Sequence, residues 1–183
     1  MSNLLCGVMI IRWDIIAIIF AAIFAVWLIA IFVGFFVNGY AFRQFSLMNY
    51  NKVLQHKKVL LYTTKKSKKL LSTTCVMLAV SSFEMGHDED FALYINIVKS
   101  INYTASVYWK CVYTFFKEQT SYFEMYFAEL KQIAEKDNNE ANKIYLQNIL
   151  TLLKKKNGEV ILEEEKDLMQ KSVSKTIKEY INQ

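Results

Sequence analysis

The chain has 183 residues, of which 54% are apolar, 15% aromatic and 21% charged. That composition excludes a disordered tail and supplies enough apolar residues for one folded unit plus a membrane segment. The formal charge of +5 suits a membrane surface or an acidic partner as well as nucleic acid, so charge alone selects none of them. With no proline and 5 glycines, little is present to break a helix or to build the tight turns of a sandwich or barrel. The expected fold is all-α, a single N-terminal transmembrane helix followed by long extramembrane helices.

Residues 1–14 are expected to form a short outer tail. Ile15 to Val37 carries no charged side chain. At 1.5 Å per residue the run is about 35 Å long, enough to cross a hydrocarbon core of about 30 Å. A cleaved signal peptide is disfavoured, because its apolar core is shorter and is followed by a small-residue cleavage site. Arg12, Trp13 and Asp14 flank one end. The other end leads into Arg43, Lys52, Lys57, Lys58, Lys65, Lys66, Lys68 and Lys69 with no acid among them. The positive-inside rule therefore places the C-terminal part on the cytoplasmic or matrix side. Within the span, Ala17, Ala21 and Ala25, then Ala30 and Gly34, recur at four-residue spacing, which suits close helix packing in lipid; alanine is also simply common in spans.

Residues 38–80 read as a basic, membrane-proximal helix, with Phe42, Phe45, Met48, Val53, Leu54, Leu60, Leu61, Leu70, Leu71, Cys75 and Leu78 at helical spacing. Arg43, Lys57 and Lys58 are its candidate contacts with anionic headgroups, each worth on the order of 1 kcal/mol; a solvated basic face is the alternative. Residues 81–90 hold Gly86 and the acids Glu84, Asp88, Glu89 and Asp90. They read as an acidic loop, with a new helix starting near Asp88, where acids meet the positive end of the helix dipole.

From there, Phe91, Val98, Ala105 and Val112 follow a seven-residue frame, with Tyr94, Ile101, Tyr108 and Phe115 three residues on; Gln119 interrupts the first column. Carried to Lys136, this predicts one helix on the order of 70 Å long. Its apolar stripe is wider than a two-stranded seam, so part of its cover can come from the helix over Tyr40 to Val80, and partner chains are expected to supply the rest at Phe91, Val98, Tyr108, Trp109, Phe115, Phe116 and Tyr126. A second span over Phe91–Phe116 is disfavoured by Asn96, Lys99, Asn102 and Lys110 inside it. The uncharged run from Leu70 to Phe83 is too short to cross. Two amphipathic helices complete residues 91–183. One runs from about Glu140 to Lys156 and stops at Asn157 and Gly158; the other runs from about Glu159 to Tyr180.

Motifs that carry chemistry are sparse. Glu84 and His87 make a single E-x-x-H spacing, where a di-iron bundle needs two and further carboxylates. The three cysteines, Cys6, Cys75 and Cys111, lie far apart and form no metal or redox pair. There is no glycine-rich phosphate loop and no H-E-x-x-H or G-x-S-x-G. Tyr62 is the only aromatic residue among the lysines from Lys57 to Lys69, too few for stacking nucleic acid bases. Asn102, Tyr103 and Thr104 form a glycosylation sequon, unmodified if it faces the cytoplasm or matrix. The chain is expected to be non-catalytic, with no cofactor, no metal, no nucleic acid and no small-molecule substrate. Its expected partners are other subunits of a membrane complex and a bilayer with anionic headgroups.

One amino-terminal span, a basic exit, long proline-free helices and a charged amphipathic C-terminus together resemble the b-type peripheral-stalk subunit of F-type ATP synthases, particularly the divergent mitochondrial form. That resemblance implies a mitochondrial inner-membrane protein with its C-terminal part in the matrix, in a proton-translocating complex. Ile15–Val37 would then pack beside the proton-conducting subunit, while the helix from Asp88 to Lys136 reaches toward the catalytic head. The alternative is a lineage-specific accessory or assembly subunit of a respiratory-chain complex. A free-standing membrane-anchored enzyme or binding module is a third; a folded, monomeric fragment from Tyr40 to Gln183 would favour it, whereas a fragment that aggregates when expressed alone would favour an assembly subunit.

Overall fold

The computed structural model describes residues 2–137 and 139–183, with side chains described from residue 15 onward. Its elements are helices in chain order: α1 (Ser2–Ser46), α2 (Tyr50–Gln55), α3 (Lys57–Thr64), α4 (Lys68–Glu84), α5 (Asp88–Lys99), α6 (Tyr103–Phe116), α7 (Thr120–Lys136), α8 (Glu140–Lys156), α9 (Glu163–Gln170) and α10 (Lys175–Asn182). No strand occurs among the described residues, so the all-α expectation holds. The chain divides into two units, residues 1–40 and 41–183.

The first unit is a single helix, the larger part of α1. Its backbone is helical from Ser2, so residues 2–14 belong to the helix rather than to a separate tail. The side chains of Cys6, Arg12, Trp13 and Asp14 lie outside the described residues. From Ile15 to Val33 every side chain is exposed. This helix is long and apolar enough to span a membrane.

In the second unit α2 and α3 both pack on α4, and from α4 onward short connections bring each helix beside the one before it. Phe83 at the end of α4 meets Phe91 at the start of α5. Tyr103 at the start of α6 donates a hydrogen bond to Glu129 of α7, and Phe115 near the end of α6 packs on Phe123 near the start of α7. Helices α6 and α8 run parallel, since Tyr108 stacks on Tyr145 and the Lys156 ammonium lies over the Phe115 ring. The centre of the stack is α4, where residues 77–83 are all buried. The uncharged run that was too short for a membrane is therefore the core helix, and its Ala79, Ser81 and Ser82 let neighbouring helices approach closely.

Helix ends explain why the chain folds back where it does. Four of them, on α1, α4, α6 and α8, share one stop. The residue after the C-cap has positive φ and donates its N–H three residues back, and the following N–H reaches five residues back. Glycine takes the left-handed position at Gly86 and Gly158, whereas Met48 and Glu118 take it elsewhere, with φ of 57° and 55°. Glycine marks such stops in a sequence; methionine and glutamate do not. Hence the one long helix expected over Asp88–Lys136 is three, α5, α6 and α7. The α5–α6 break is fixed by Asn102, whose side chain caps α6 by accepting from the Ala105 N–H at 3.1 Å. Likewise the helix expected over residues 38–80 is the end of α1, then α2, α3 and most of α4. The last amphipathic helix divides into α9 and α10. The expected limits of α8 and the start of α5 at Asp88 agree with the structure.

Candidate functional site

The aromatic stripe is internal. Phe91, Val98, Tyr108, Trp109 and Phe115 are buried, and Phe116 and Tyr126 are half-buried. Phe91 stacks on Tyr113 at 4.4 Å, Tyr108 on Tyr145 at 4.5 Å, and Phe115 and Phe116 both meet Tyr180 of α10. These residues were expected to face partner chains; the chain's own helices cover them. Their periodicity is that of buried helix faces, and it does not show which chain provides the cover.

In the first unit, Ala17, Ala21, Ala25 and Ala30 are exposed and Gly34 is buried within its own helix, where its carbonyl accepts from Asn38 Nδ2 at 2.7 Å. In the second, Arg43 and Lys58 are exposed, and Lys65, Lys66, Lys68 and Lys69 extend the basic surface. Phe42, Leu47, Val59, Tyr62 and Leu70 are exposed apolar side chains interspersed with them in sequence. Lys57 differs, because its ammonium pairs with Asp90 of α5 at 2.8 Å. It ties α3 to α5 and has less charge to offer a headgroup than its neighbours.

A cavity of about 330 Å³ opens between α5, α6 and α7, lined by Phe91, Ile95, Lys110, Tyr113, Tyr122 and Tyr126 among others. The Lys110 ammonium lies over the Tyr126 ring at 5.5 Å. Desolvation, reinforced by Lys99, lowers the pKa of Lys110. Cys75 and Cys111 are buried free thiols, pushed up to about 11 and about 12 by desolvation, and so are unreactive. Among the described residues no three His, Cys, Asp or Glu side chains cluster as a metal site. Glu84 and His87 do not act as a pair: His87 is exposed at the start of α5, while Glu84 turns to the C-terminal segment.

That segment makes a densely hydrogen-bonded polar site. Every one of the four N–H groups that a helix start leaves without an intrahelical partner is satisfied at α10. Ser174 N–H donates to Ser172 Oγ at 3.2 Å, and Lys175 N–H to the Tyr50 hydroxyl at 3.0 Å. Thr176 N–H donates to the Glu84 carboxylate at 3.2 Å, and Ile177 N–H to Ser174 Oγ at 3.3 Å. Glu84 also accepts the Ser174 hydroxyl and, at 2.9 Å, the Thr176 hydroxyl. Tyr50 in turn donates to the Val173 carbonyl at 2.9 Å. A carboxylate at the positive end of α10 is also favoured by the helix dipole. Burial, then the charge of Glu84, pushes the Tyr50 hydroxyl up to about 12, so it remains a donor at neutral pH. Below this polar rim Ile177 and Ile181 are buried, and Tyr180 presents its ring edge-on to Phe115 and Phe116.

Sequence reasoning missed this site. Tyr50 and Glu84 act on residues about 90 to 125 positions away, so no local spacing announces them. The one available signal was Ser172, Ser174 and Thr176 ahead of an apolar-periodic run, a pattern for a helix start. Comparison with protein-family models, with curated proteins and with solved structures finds no match.

Proposed function

We propose that this chain is a non-catalytic, membrane-anchored subunit that holds other polypeptides at a bilayer: α1 is the anchor and residues 41–183 are the binding domain. The observation that carries the reading is the pairing of a helix whose apolar side chains are all exposed from Ile15 to Val33 with a separate unit that buries its own aromatic core. An apolar surface of that extent has no stable place in water. Arg43, Lys58 and Lys65 to Lys69, close after the span in sequence, lie against anionic headgroups, with Tyr62 and Leu70 entering the interface.

The layout of the sequence supports placing this subunit in the peripheral stalk of a proton-translocating ATP synthase, as a b-like chain of the mitochondrial inner membrane with its C-terminal part in the matrix. A stalk that resists rotation needs length, and α5, α6 and α7 fold back on one another, so in that complex the domain serves as a docking block rather than as the strut. The same folding back favours a second reading, an accessory or assembly subunit of a respiratory-chain complex.

Native gel separation of mildly solubilised membranes, followed by mass spectrometry, tests the proposal. Comigration with the ATP synthase catalytic subunits supports the stalk position, and comigration with an electron-transfer complex supports the accessory one. Migration as a lone chain in every mild detergent would refute both.

A further inference from the structure

We propose that the cavity between α5, α6 and α7 is a binding site for a small amphipathic carboxylate, whose apolar body lies among the aromatic rings and whose anionic group pairs with Lys110. Ligand binding there is independent of which complex the chain joins.

Helices α5 and α7 each pack against α6, and the cavity is the gap left between them, with Ala92 on its lining too small to close it. Its volume of about 330 Å³ falls at the lower end of the range for small-molecule sites, about 300 to 1,000 Å³. Such sites are mostly apolar, with a few polar groups that fix the orientation of the ligand. Here Phe91, Ile95, Tyr113, Tyr122 and Tyr126 supply the apolar surface. Phe91 and Tyr113 stack at 4.4 Å and so join α5 and α6 into one wall. Ring faces of this kind suit a flat or short hydrocarbon body.

The charge on the lining is unbalanced. Among the described residues there, Lys110 is the one cation and Asp88 the one acid. Asp88 is already answered by Lys117 at 2.9 Å. The two charges are also set apart by the antiparallel packing of α5 on α6. Phe91 meets Tyr113, and the Ile95 carbonyl accepts from Ser106 Oγ at 3.3 Å. Lys110 therefore lies between those two contacts, while Asp88 lies beyond the first of them. Lys110 forms no ion pair among the described residues. Its side chain is half-buried, and its ammonium lies over the Tyr126 ring at 5.5 Å. Lys99 of α5 acts on it as a like charge, and Glu129 of α7 as an opposite one. The Glu129 carboxylate, however, is engaged by the Tyr103 hydroxyl. An ammonium drawn partly out of water without an anion beside it carries a cost, which a bound carboxylate removes through a charge-assisted hydrogen bond. One unanswered positive charge matches a monoanion.

The test uses the full chain in nanodiscs, with empty nanodiscs as the blank, and radiolabelled 3-phenylpropionate as the probe in equilibrium dialysis. The neutral 3-phenylpropanamide and the cationic 3-phenylpropylamine are the comparisons. The carboxylate should bind saturably, one per chain, and at least tenfold more tightly than either. Lys110→Met, which keeps the apolar stem, should abolish that preference, and Lys110→Arg should keep it. Ala92→Trp, at an exposed position on the lining, should weaken carboxylate and amide alike by filling the cavity. Helix content and melting temperature show that each variant is folded. No saturable binding above the blank, equal binding of carboxylate and amide, or an undiminished preference in Lys110→Met would overturn the proposal.

Discussion

Tyr50 and Glu84 carry most of the specific polar contacts to the C-terminal segment, and each has a distinct signature. Because burial raises the Tyr50 hydroxyl from an ordinary value of 10.0 to about 12, the folded chain keeps a proton that the unfolded chain has released between those values. The stability this contributes is present below about pH 10 and is lost as pH rises toward about 12. Tyr50→Phe should cost about 1–2 kcal/mol at pH 7 through two lost hydrogen bonds. It should also reduce the fall in stability between pH 10 and 11, measured by denaturant titration; an unchanged slope would count against the site. Glu165 behaves in the opposite sense. Its carboxylate lies 2.6 Å from Lys154 and accepts from the Leu162 N–H at 3.0 Å and from Gln147 at 2.8 Å, which holds it below the usual carboxylate range. Its contribution is present above about pH 4.5 and is lost as pH falls below that. Glu165→Gln should destabilise the α8–α9 pair by about 1–2 kcal/mol at pH 7, and the gap between variant and parent should close toward pH 3.

At the scale of elements, the helix stops decide the fold. Gly86 sits at φ 73° with open space where a Cβ would be, so Gly86→Ala should cost about 1 kcal/mol from backbone strain alone. Glu118 occupies the equivalent position on α6 at φ 55°; Glu118→Gly should gain about 0.5–1 kcal/mol, visible as a higher melting temperature. A loss of stability there would mean that the α6–α7 turn is held by more than its backbone. These positions also mark how far the sequence could be read. Stops at glycine and the acidic start of α5 were legible, because they follow from local stereochemistry. Stops at Met48 and Glu118 were not, because packing of the following helix forces an unfavourable conformation on residues with no preference for it. Gln119, the gap in the heptad column, lies at that very turn. The stripe from Phe91 to Phe115 reads as one rod only because α5 and α6 each bury a face, and two buried faces joined end to end look continuous.

For the whole molecule, the division at residues 40 and 41 separates a helix whose apolar side chains the chain leaves exposed from a unit that covers its own core. The long apolar helix was readable because twenty or more uncharged residues in a row reach the length that crosses a hydrocarbon core. The self-contained nature of residues 41–183 was not, because periodicity gives the buried face and not the identity of its cover. The aromatic stripe is the core of a self-contained unit and not a surface awaiting other chains. The most direct measurement is the mass in solution and the thermal unfolding of a fragment spanning Ala41 to Gln183. The account predicts a monomer with a single cooperative transition, because the unit buries its own aromatic core before it meets any partner; fragment solubility then no longer separates a subunit from a free-standing module, and comigration does. A fragment that aggregates, or that binds hydrophobic dye and melts without a transition, would contradict it and return the stripe to a partner-facing role.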